Sequence, residues 1–336
     1  MPRNPAPTSG TLVLTRSDVA GLLDYEACEQ AVETAFRLLG EGAAADPAIA
    51  GVHVDGGGFH VKAGVLRLGR HYFAAKTNAN FPGNRDRRGL PTIQGTIVLH
   101  DADNGYPLAL MDSIEVSIRR TGAATAVAAR RCARPDAQTV AVAGCGEQGR
   151  AQLRALARAR RLTRVVVYDI DSATARGLAD ELAPELGVGI TVAPDFRAAA
   201  READVVVTCT PSSEYLLGAA DIAPGTFVAG VGVDNPHKRE LAPDLLARAL
   251  VVADVIDQSA TIGDLHHAIE AGVVTRDHVY AELGEIVAGR KPGRRGADDV
   301  VVFDSTGMAL QDVAAAAVVY ERAVAQGVGH RLPIGA

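Results

Sequence analysis

Residues Gln138–Gly149 read QTVAVAGCGEQG. A short β-branched run, Gln138–Gly144, ends in a glycine turn, and an alanine-rich stretch of helical length, Glu147–Arg160, follows. Strand, G-x-G-x-x-G and helix in that order is the context in which the glycine pattern signals dinucleotide binding. Gly144 permits the tight turn, Gly146 lets a pyrophosphate approach the backbone, and Gly149 lets helix and strand pack closely. The helix start at Glu147 and Gln148 offers unpaired N–H groups and a positive dipole end to phosphates.

Further apolar runs lie at Arg164–Ile170, Gly189–Ala193, Asp204–Thr210, Thr226–Gly232 and Ala249–Val255, and Ser172–Leu186 is a second alanine-rich segment of helical length. Strands apolar on both faces, alternating with helices, require a parallel sheet covered on both sides. The expectation is an α/β, doubly wound domain over residues 121–306. Thr210 and Val231 fall near the ends of two of these runs and are expected to touch the cofactor.

Asp169 ends the second apolar run, 25 residues past Gly144. That is near the spacing of the acid that binds a ribose diol. Its oxygens would accept from the hydroxyls and its charge would repel a 2′-phosphate, so NAD is expected over NADP. The competing reading is that Asp169 only caps the helix after it, and Asp171 could take either role.

The first third reads differently. Asp24–Gly40 has helical apolar spacing with Asp24 as N-cap. Phe59–Leu66, His71–Thr77, Ile93–His100 and Pro107–Met111 read as strands, with Phe81–Gly89 (FPGNRDRRG) as turn-rich chain. Consecutive strands predict a separate antiparallel or mixed sheet. Arg120–Arg134 reads as a helix leading into the nucleotide domain, Val300–Phe303 as a strand, and Leu310–Gln326 as a helix returning to the first domain. The expected second domain is α+β and joins residues 1–120 to 307–336.

Composition narrows the function. With 336 residues, 48% apolar and 22% charged, the chain suits a folded two-domain enzyme and not a disordered one. A net charge of −6 argues against nucleic acid as a partner, and 4% aromatics with no Trp argues against stacking platforms. Cys28, Cys132, Cys145 and Cys209 are scattered, so reduced core thiols in a cytoplasmic protein are expected. No run of 18 apolar residues suggests a membrane span, and Met1–Gly10 reads as a loose tail without a signal-peptide core. His266-His267 lies in a predicted helix without an HExxH arrangement, and no metal site is expected.

Two charged constellations remain. Gly232–Leu241 (GVDNPHKREL) follows the fifth apolar run, so Asp234 falls beyond a strand's carboxyl end, where it could trade protons with an amine or water. The segment equally suits an ordinary turn. In the first domain, Lys76, Thr92 and the Arg119-Arg120-Thr121 run supply cations that could bind a substrate carboxylate or could simply be solvated.

Taken in order, KTNANFPGN, GLPTIQGTIVL, NGYPLALMDS, RRTGAATAVAA, GCGEQG, VGVDNPHKREL and FDSTGMALQD resemble the ornithine cyclodeaminase/mu-crystallin family from about Thr11 to Gln326. The resemblance implies a Rossmann domain, a substrate-binding and dimerisation domain, and a homodimer. It implies that Lys76 and Arg120 hold the substrate carboxylate, with Lys76 also at the chemistry, and that Thr92 lines the same pocket. Asp234 matches the catalytic acid/base of the family's GxDxPGKxEL segment and Lys238 its lysine, although His237 replaces the usual Gly. Ser305 and Thr306 match a DSxG turn beside the nicotinamide, and Gln148 fits a GxGxQ variant of the fingerprint.

One departure bears on substrate. Ornithine-specific members carry an Arg and a Glu before a Met-Pro pair, and the Glu helps hold the distal amine. Here His60 stands at the Glu position, Lys62 near the Met, and no Arg lies near Ile49–His53. His60 and Lys62 share one strand face, which should not welcome a second ammonium. Lys62 could instead stand in for the missing Arg as a carboxylate ligand. The expected activity is NAD-dependent oxidation or reduction at the Cα–N bond of a small amino acid or its imine. A cyclodeaminase and a non-catalytic, cofactor-dependent binding protein of the crystallin type are the alternatives.

Overall fold

The computed structural model describes residues 10–334, so most of the Met1–Gly10 tail lies outside the described residues. Its strands, in chain order, are β1 (Thr11–Leu14), β2 (Ala48–Val54), β3 (Gly57–Leu68), β4 (Arg70–Asn80), β5 (Ile93–Asp101), β6 (Pro107–Asp112), β7 (Thr139–Ala143), β8 (Arg164–Tyr168), β9 (Ile190–Val192), β10 (Val205–Thr208), β11 (Phe227–Gly230), β12 (Leu250–Ala253), β13 (Ala281–Glu282), β14 (Val301–Asp304) and β15 (His330–Leu332). The chain divides into two compact units, one running through Arg120 and resuming at Met308, the other spanning Thr121–Gly307.

The first unit is built on a mixed sheet in the order β15-β1-β6-β5-β4-β3-β2, antiparallel throughout except where β1 pairs with β6. Long alternation in β3 and β4 puts Leu66, Tyr72 and Ala74 on a buried face. The alanine-rich helix Ala309–Gln326 covers β3 and β4 and packs against the helix Tyr25–Gly40. A Cβ on Gly64 would lie 2.9 Å from Leu310 Cδ2, which fixes how closely helix and sheet approach. Asp24 caps Tyr25–Gly40 by accepting from the Ala27 N–H.

The second unit is a parallel sheet in the order β13-β12-β14-β11-β10-β7-β8-β9. β10, β11, β12 and β14 are buried at every residue, as strands covered on both faces should be. The order reverses at β7 and β10, and the crevice outside their carboxyl ends is where ligands bind in such sheets. Eight strands form it rather than six, because β13 is two residues long and β14 arrives last in sequence to insert beside β11.

Three sequence expectations need correction. The helix expected over Arg120–Arg134 spans Ile114–Cys132, so Arg120 sits inside it and not at its start. The turn-rich Phe81–Gly89 contains the short helix Asn84–Arg88, closed by Gly89 at φ +64°. β1, β2 and β15 are further strands beyond those expected from the sequence; β2 is exposed along its whole length.

Candidate functional site

In the first unit, antiparallel pairing sets Lys62 directly opposite Lys76 and His60 opposite Asn78. Residues two apart share a face, and this face lies under the helix Ala309–Gln326, so Lys62 and Lys76 are both buried. Like charges directly opposite one another are destabilising. The helix supplies the compensating acid: Lys76 Nζ donates to Asp312 Oδ1 at 2.8 Å. Arg120 reaches the same oxygen through Nε at 3.2 Å, and its Nη1 donates to Gln311 Oε1 at 3.0 Å.

Burial, aided by the neighbouring Arg120 and Lys62 charges, pushes the Lys76 ammonium down to about 7, although Asp312 works the other way. Burial alone would raise the Asp312 carboxyl, but Lys76 and Arg120 outweigh it and hold Asp312 below its ordinary range. The result is an ionised carboxylate among buried cations. Arg120 spends Nε and Nη1 on it and on Gln311, which leaves the Nη2 edge of a planar five-donor fork to meet a second anion.

In the second unit the glycine turn is built as a phosphate cradle. Gly144 has φ +95°, and a Cβ there would lie 2.6 Å from Cys209 O. A Cβ on Gly149 would fall 2.1 Å from Gly144 O, so helix and strand could not close up with any other residue. Nothing stands within 4 Å of where a Cβ on Gly146 would be, so that backbone is open. The helix Glu147–Ala159 starts there with no side-chain cap, and Glu147 is exposed.

Asp169 follows β8 and is half-buried. Its Oδ2 accepts from the Cys145 N–H of the glycine turn at 2.8 Å and its Oδ1 from the Asp171 N–H at 3.0 Å. Capping belongs to Asp171, which accepts from Ala173 N and Thr174 Oγ1. Asp169 is therefore fastened to the phosphate turn, with lone pairs left for a diol. Gln148 Oε1 and Ser305 Oγ are buried with no hydrogen-bond partner among the described residues. Open glycine backbone, an uncapped helix start, an anchored carboxylate and orphaned polar atoms fit a dinucleotide.

Strand ends complete this crevice. Val231 donates its N–H to Thr208 O at 2.8 Å, and Ser305 donates its N–H to Gly230 O at 2.9 Å. Thr210 donates both N–H and Oγ1 to Glu240 Oε1, while Glu240 Oε2 takes the Gly232 N–H. One buried carboxylate thus ties the ends of β10 and β11. Behind it, Asp264 accepts from the Glu240 and Leu241 N–H groups and Asp304 from those of Asp264 and Leu265. Burial raises all three carboxyls, Glu240, Asp264 and Asp304.

Asp234 lies just past this level, half exposed. Its Oδ1 accepts from Lys238 Nζ at 2.8 Å and Asn235 Nδ2 at 3.1 Å, and Lys238 also reaches Gly232 O. Lys238 is thus spent on orienting Asp234. Thr306 is buried, donating to Asp254 Oδ1 and accepting from Gln258 Nε2, each at 2.7 Å. Thr92 lies just before β5, five residues along from Ile97, the partner of Lys76. That is roughly 16 Å along the strand, so Thr92 does not join the Lys76 cluster. His60 instead meets His53 edge to face at 6.3 Å.

Asp312, Gln311, Asp254, Gln258 and Glu240 have no role in the sequence reading. Gln311-Asp312 before VAAAAVV and Asp254 after LVVA carry one signal, a polar residue beside an apolar run, whereas Glu240 in HKREL and Gln258 in IDQSAT carry none. Among the described residues all four cysteines are free, with Cys28, Cys132 and Cys145 buried and Cys209 half-buried. Among the described residues, no helix is long and apolar enough to cross a membrane.

Comparison with known proteins finds the same fold in several solved structures. An archaeal alanine dehydrogenase dimer with bound NAD superposes with a TM-score of 0.92 at 35% identity, covering 96% of this chain and 99% of that one. The Δ1-pyrroline-2-carboxylate reductase of Thermococcus litoralis, in complex with NADH and L-proline, gives 0.91 at 32%, covering 96% and 100%. The iminosuccinate reductase of Paracoccus denitrificans, in complex with NAD+, gives 0.88 at 33%, covering 96% and 98%. The sequence profile of the ornithine cyclodeaminase/mu-crystallin family matches residues 9–327, and the chain belongs to that family.

Proposed function

We propose that this chain is an NAD-dependent oxidoreductase acting on the Cα–N bond of a small amino acid or its imine. The observation that carries it is the buried Lys76–Arg120–Asp312 cluster, a carboxylate seat in a chain whose other unit holds a fastened dinucleotide turn. The dinucleotide, when bound, supplies or accepts the hydride. The remaining work falls to side chains. Arg120 and Lys76 take the α-carboxylate, Arg120 through its Nη2 edge. Asp234, steered by Lys238, takes or returns the proton of the amine or of the water that adds to the imine. Lys76, held near neutrality, can also move a proton.

Asp169 underlies the preference for NAD. Asp169→Ser should weaken NAD+ and relatively improve NADP+, read as the ratio of dissociation constants. Tighter binding of NADP(H) by the unaltered protein would overturn the assignment.

The Lys76 reading carries a pH signature. A carboxylate competitor needs the ammonium, which in the free protein is lost as pH rises through about 7. Affinity should therefore fall with rising pH across that range, and Lys76→Arg, which stays charged, should flatten the profile. A profile unchanged by that substitution would remove Lys76 from the anchor.

Ornithine should be a poor substrate. Lys62 is buried opposite Lys76, and two unit charges about 4 Å apart repel by about 4 kcal/mol at an effective dielectric of 20. Half of that reduces binding of a second ammonium more than tenfold. The purified protein should be screened with amino acids plus NAD+, and with keto acids and amines plus NADH, following absorbance at 340 nm and ammonia. Net cofactor turnover supports the proposal. Ammonia release from ornithine without net NADH would make it a cyclodeaminase, and no turnover with any of them would favour the binding-protein reading.

A homodimer is part of the proposal. Val52, Val54, Phe59 and Val65 are exposed on the face of β2 and β3 opposite Lys62, a patch of the kind that marks interaction surfaces. Sedimentation mass decides between one chain and two.

A further inference from the structure

We propose that His266, His267 and Glu270 form a binding site for a divalent transition-metal ion of the zinc class, separate from the residues assigned to substrate and dinucleotide. One ring nitrogen of each of His266 and His267 and a Glu270 carboxylate oxygen converge on the helix Asp264–Glu270, all within 4.8 Å of one another. His266 Nε2 lies 3.5 Å and His267 Nδ1 3.9 Å from Glu270 Oε2. Metal–ligand bonds of about 2.1 Å at tetrahedral angles place ligand atoms roughly 3.4 Å apart. Rotation of the exposed Glu270 side chain closes its two distances, and a small turn of the imidazoles brings their nitrogens, within 4.8 Å of each other, onto the ion.

The outward ring nitrogens give a second, independent reason. His266 Nδ1 lies 3.3 Å from Ala260 O and His267 Nε2 2.7 Å from Lys238 O. A carbonyl can only accept, so each of those nitrogens carries its ring's proton. In the neutral form that binds a metal, the other nitrogen of each ring, Nε2 of His266 and Nδ1 of His267, carries the lone pair, and both lie within 4 Å of Glu270 Oε2. Metal-binding histidines are held in this way, with the distal N–H on a carbonyl and the bare nitrogen toward the ion. Two imidazoles and one carboxylate suit Zn2+ or Co2+ better than Mg2+ or Ca2+, which prefer oxygen ligands, and they leave a fourth position for water. The ion's role is positional. His267 holds the carbonyl of Lys238, whose ammonium holds Asp234, so an ion on His267 steadies the segment carrying that acid.

The test uses untagged, metal-stripped protein titrated with Co2+ and, in competition with a chromophoric chelator, with Zn2+. One equivalent of Co2+ should produce the intense visible bands of tetrahedral coordination. His266→Ala should abolish them, and Glu270→Ala, a change at an exposed position that leaves the fold intact, should weaken binding at least tenfold. Zn2+ should raise the thermal midpoint of the unaltered protein by a few degrees and leave that of His266→Ala unmoved. Absence of the bands in the unaltered protein, or bands that survive both substitutions, would overturn the site.

Discussion

Asp234→Asn should lower kcat by about 10²–10⁴-fold, the usual contribution of a positioned acid or base, with little change in dinucleotide affinity. The substitution keeps the shape. An amide oxygen still accepts from Lys238 Nζ, which lies 2.8 Å from Asp234 Oδ1, so the segment Gly232–Leu241 should hold its place. What disappears is a group able to take a proton and give it back. The position makes the prediction specific. Asp234 stands two residues past Gly232, whose N–H is fixed by Glu240 Oε2 at 2.9 Å, beyond the carboxyl end of β11, where ligands of parallel sheets sit. Lys238→Met should cost less, because it loosens Asp234 without removing it. Single-turnover rates with NADH and an imino acid separate the chemical step from binding. Near-full activity in Asp234→Asn would exclude the role.

Much of this architecture is legible in the residues, and what is not has physical causes. The glycine turn and the buried strands announce themselves because a parallel sheet needs apolar side chains on both faces. β2 (AIAGVHV) stays hidden because Gly51 sits mid-strand and Ile49 falls out of phase with Val52 and Val54, so no single alternation runs its length. The start of the helix Ile114–Cys132 is masked by Ile114, Val116 and Ile118, β-branched residues that read as strand. In the site, Lys76 and Arg120 stand out as charges within long motifs. Asp312 does not, because its partnership with Lys76 spans 236 residues of sequence and depends on which face of a helix meets which face of a sheet. The same holds for Glu240, whose contacts with Thr210 and Gly232 exist only once two strand ends are side by side. Thr92 shows the converse: it lies close to the other motif residues in sequence, yet the register of β4 and β5 carries it away from Lys76.

Arg120→Ala should raise the substrate KM by roughly 30- to several-thousand-fold, the equivalent of about 2–5 kcal/mol for removing one partner of a desolvated charge pair. Arg120 is buried, and its Nε and Nη1 are committed to Asp312 and Gln311 at 3.2 and 3.0 Å. Those two bonds lock the guanidinium plane, so the Nη2 edge is already aimed before any carboxylate arrives and little ordering remains for binding to offset. Alanine removes both the charge and the fork, and leaves the Lys76 hydrogen bond to Asp312 in place. Arg120→Lys restores the charge without the planar, bidentate geometry, so it should recover only part of the loss. Dinucleotide affinity should be nearly unchanged in both variants, because the glycine turn and Asp169 belong to the other unit. A thermal midpoint for each variant separates loss of fold from loss of binding. If Arg120→Ala keeps the KM of the unaltered protein while remaining folded, the carboxylate is held elsewhere and the cluster around Asp312 is only a buried ion pair within the first unit.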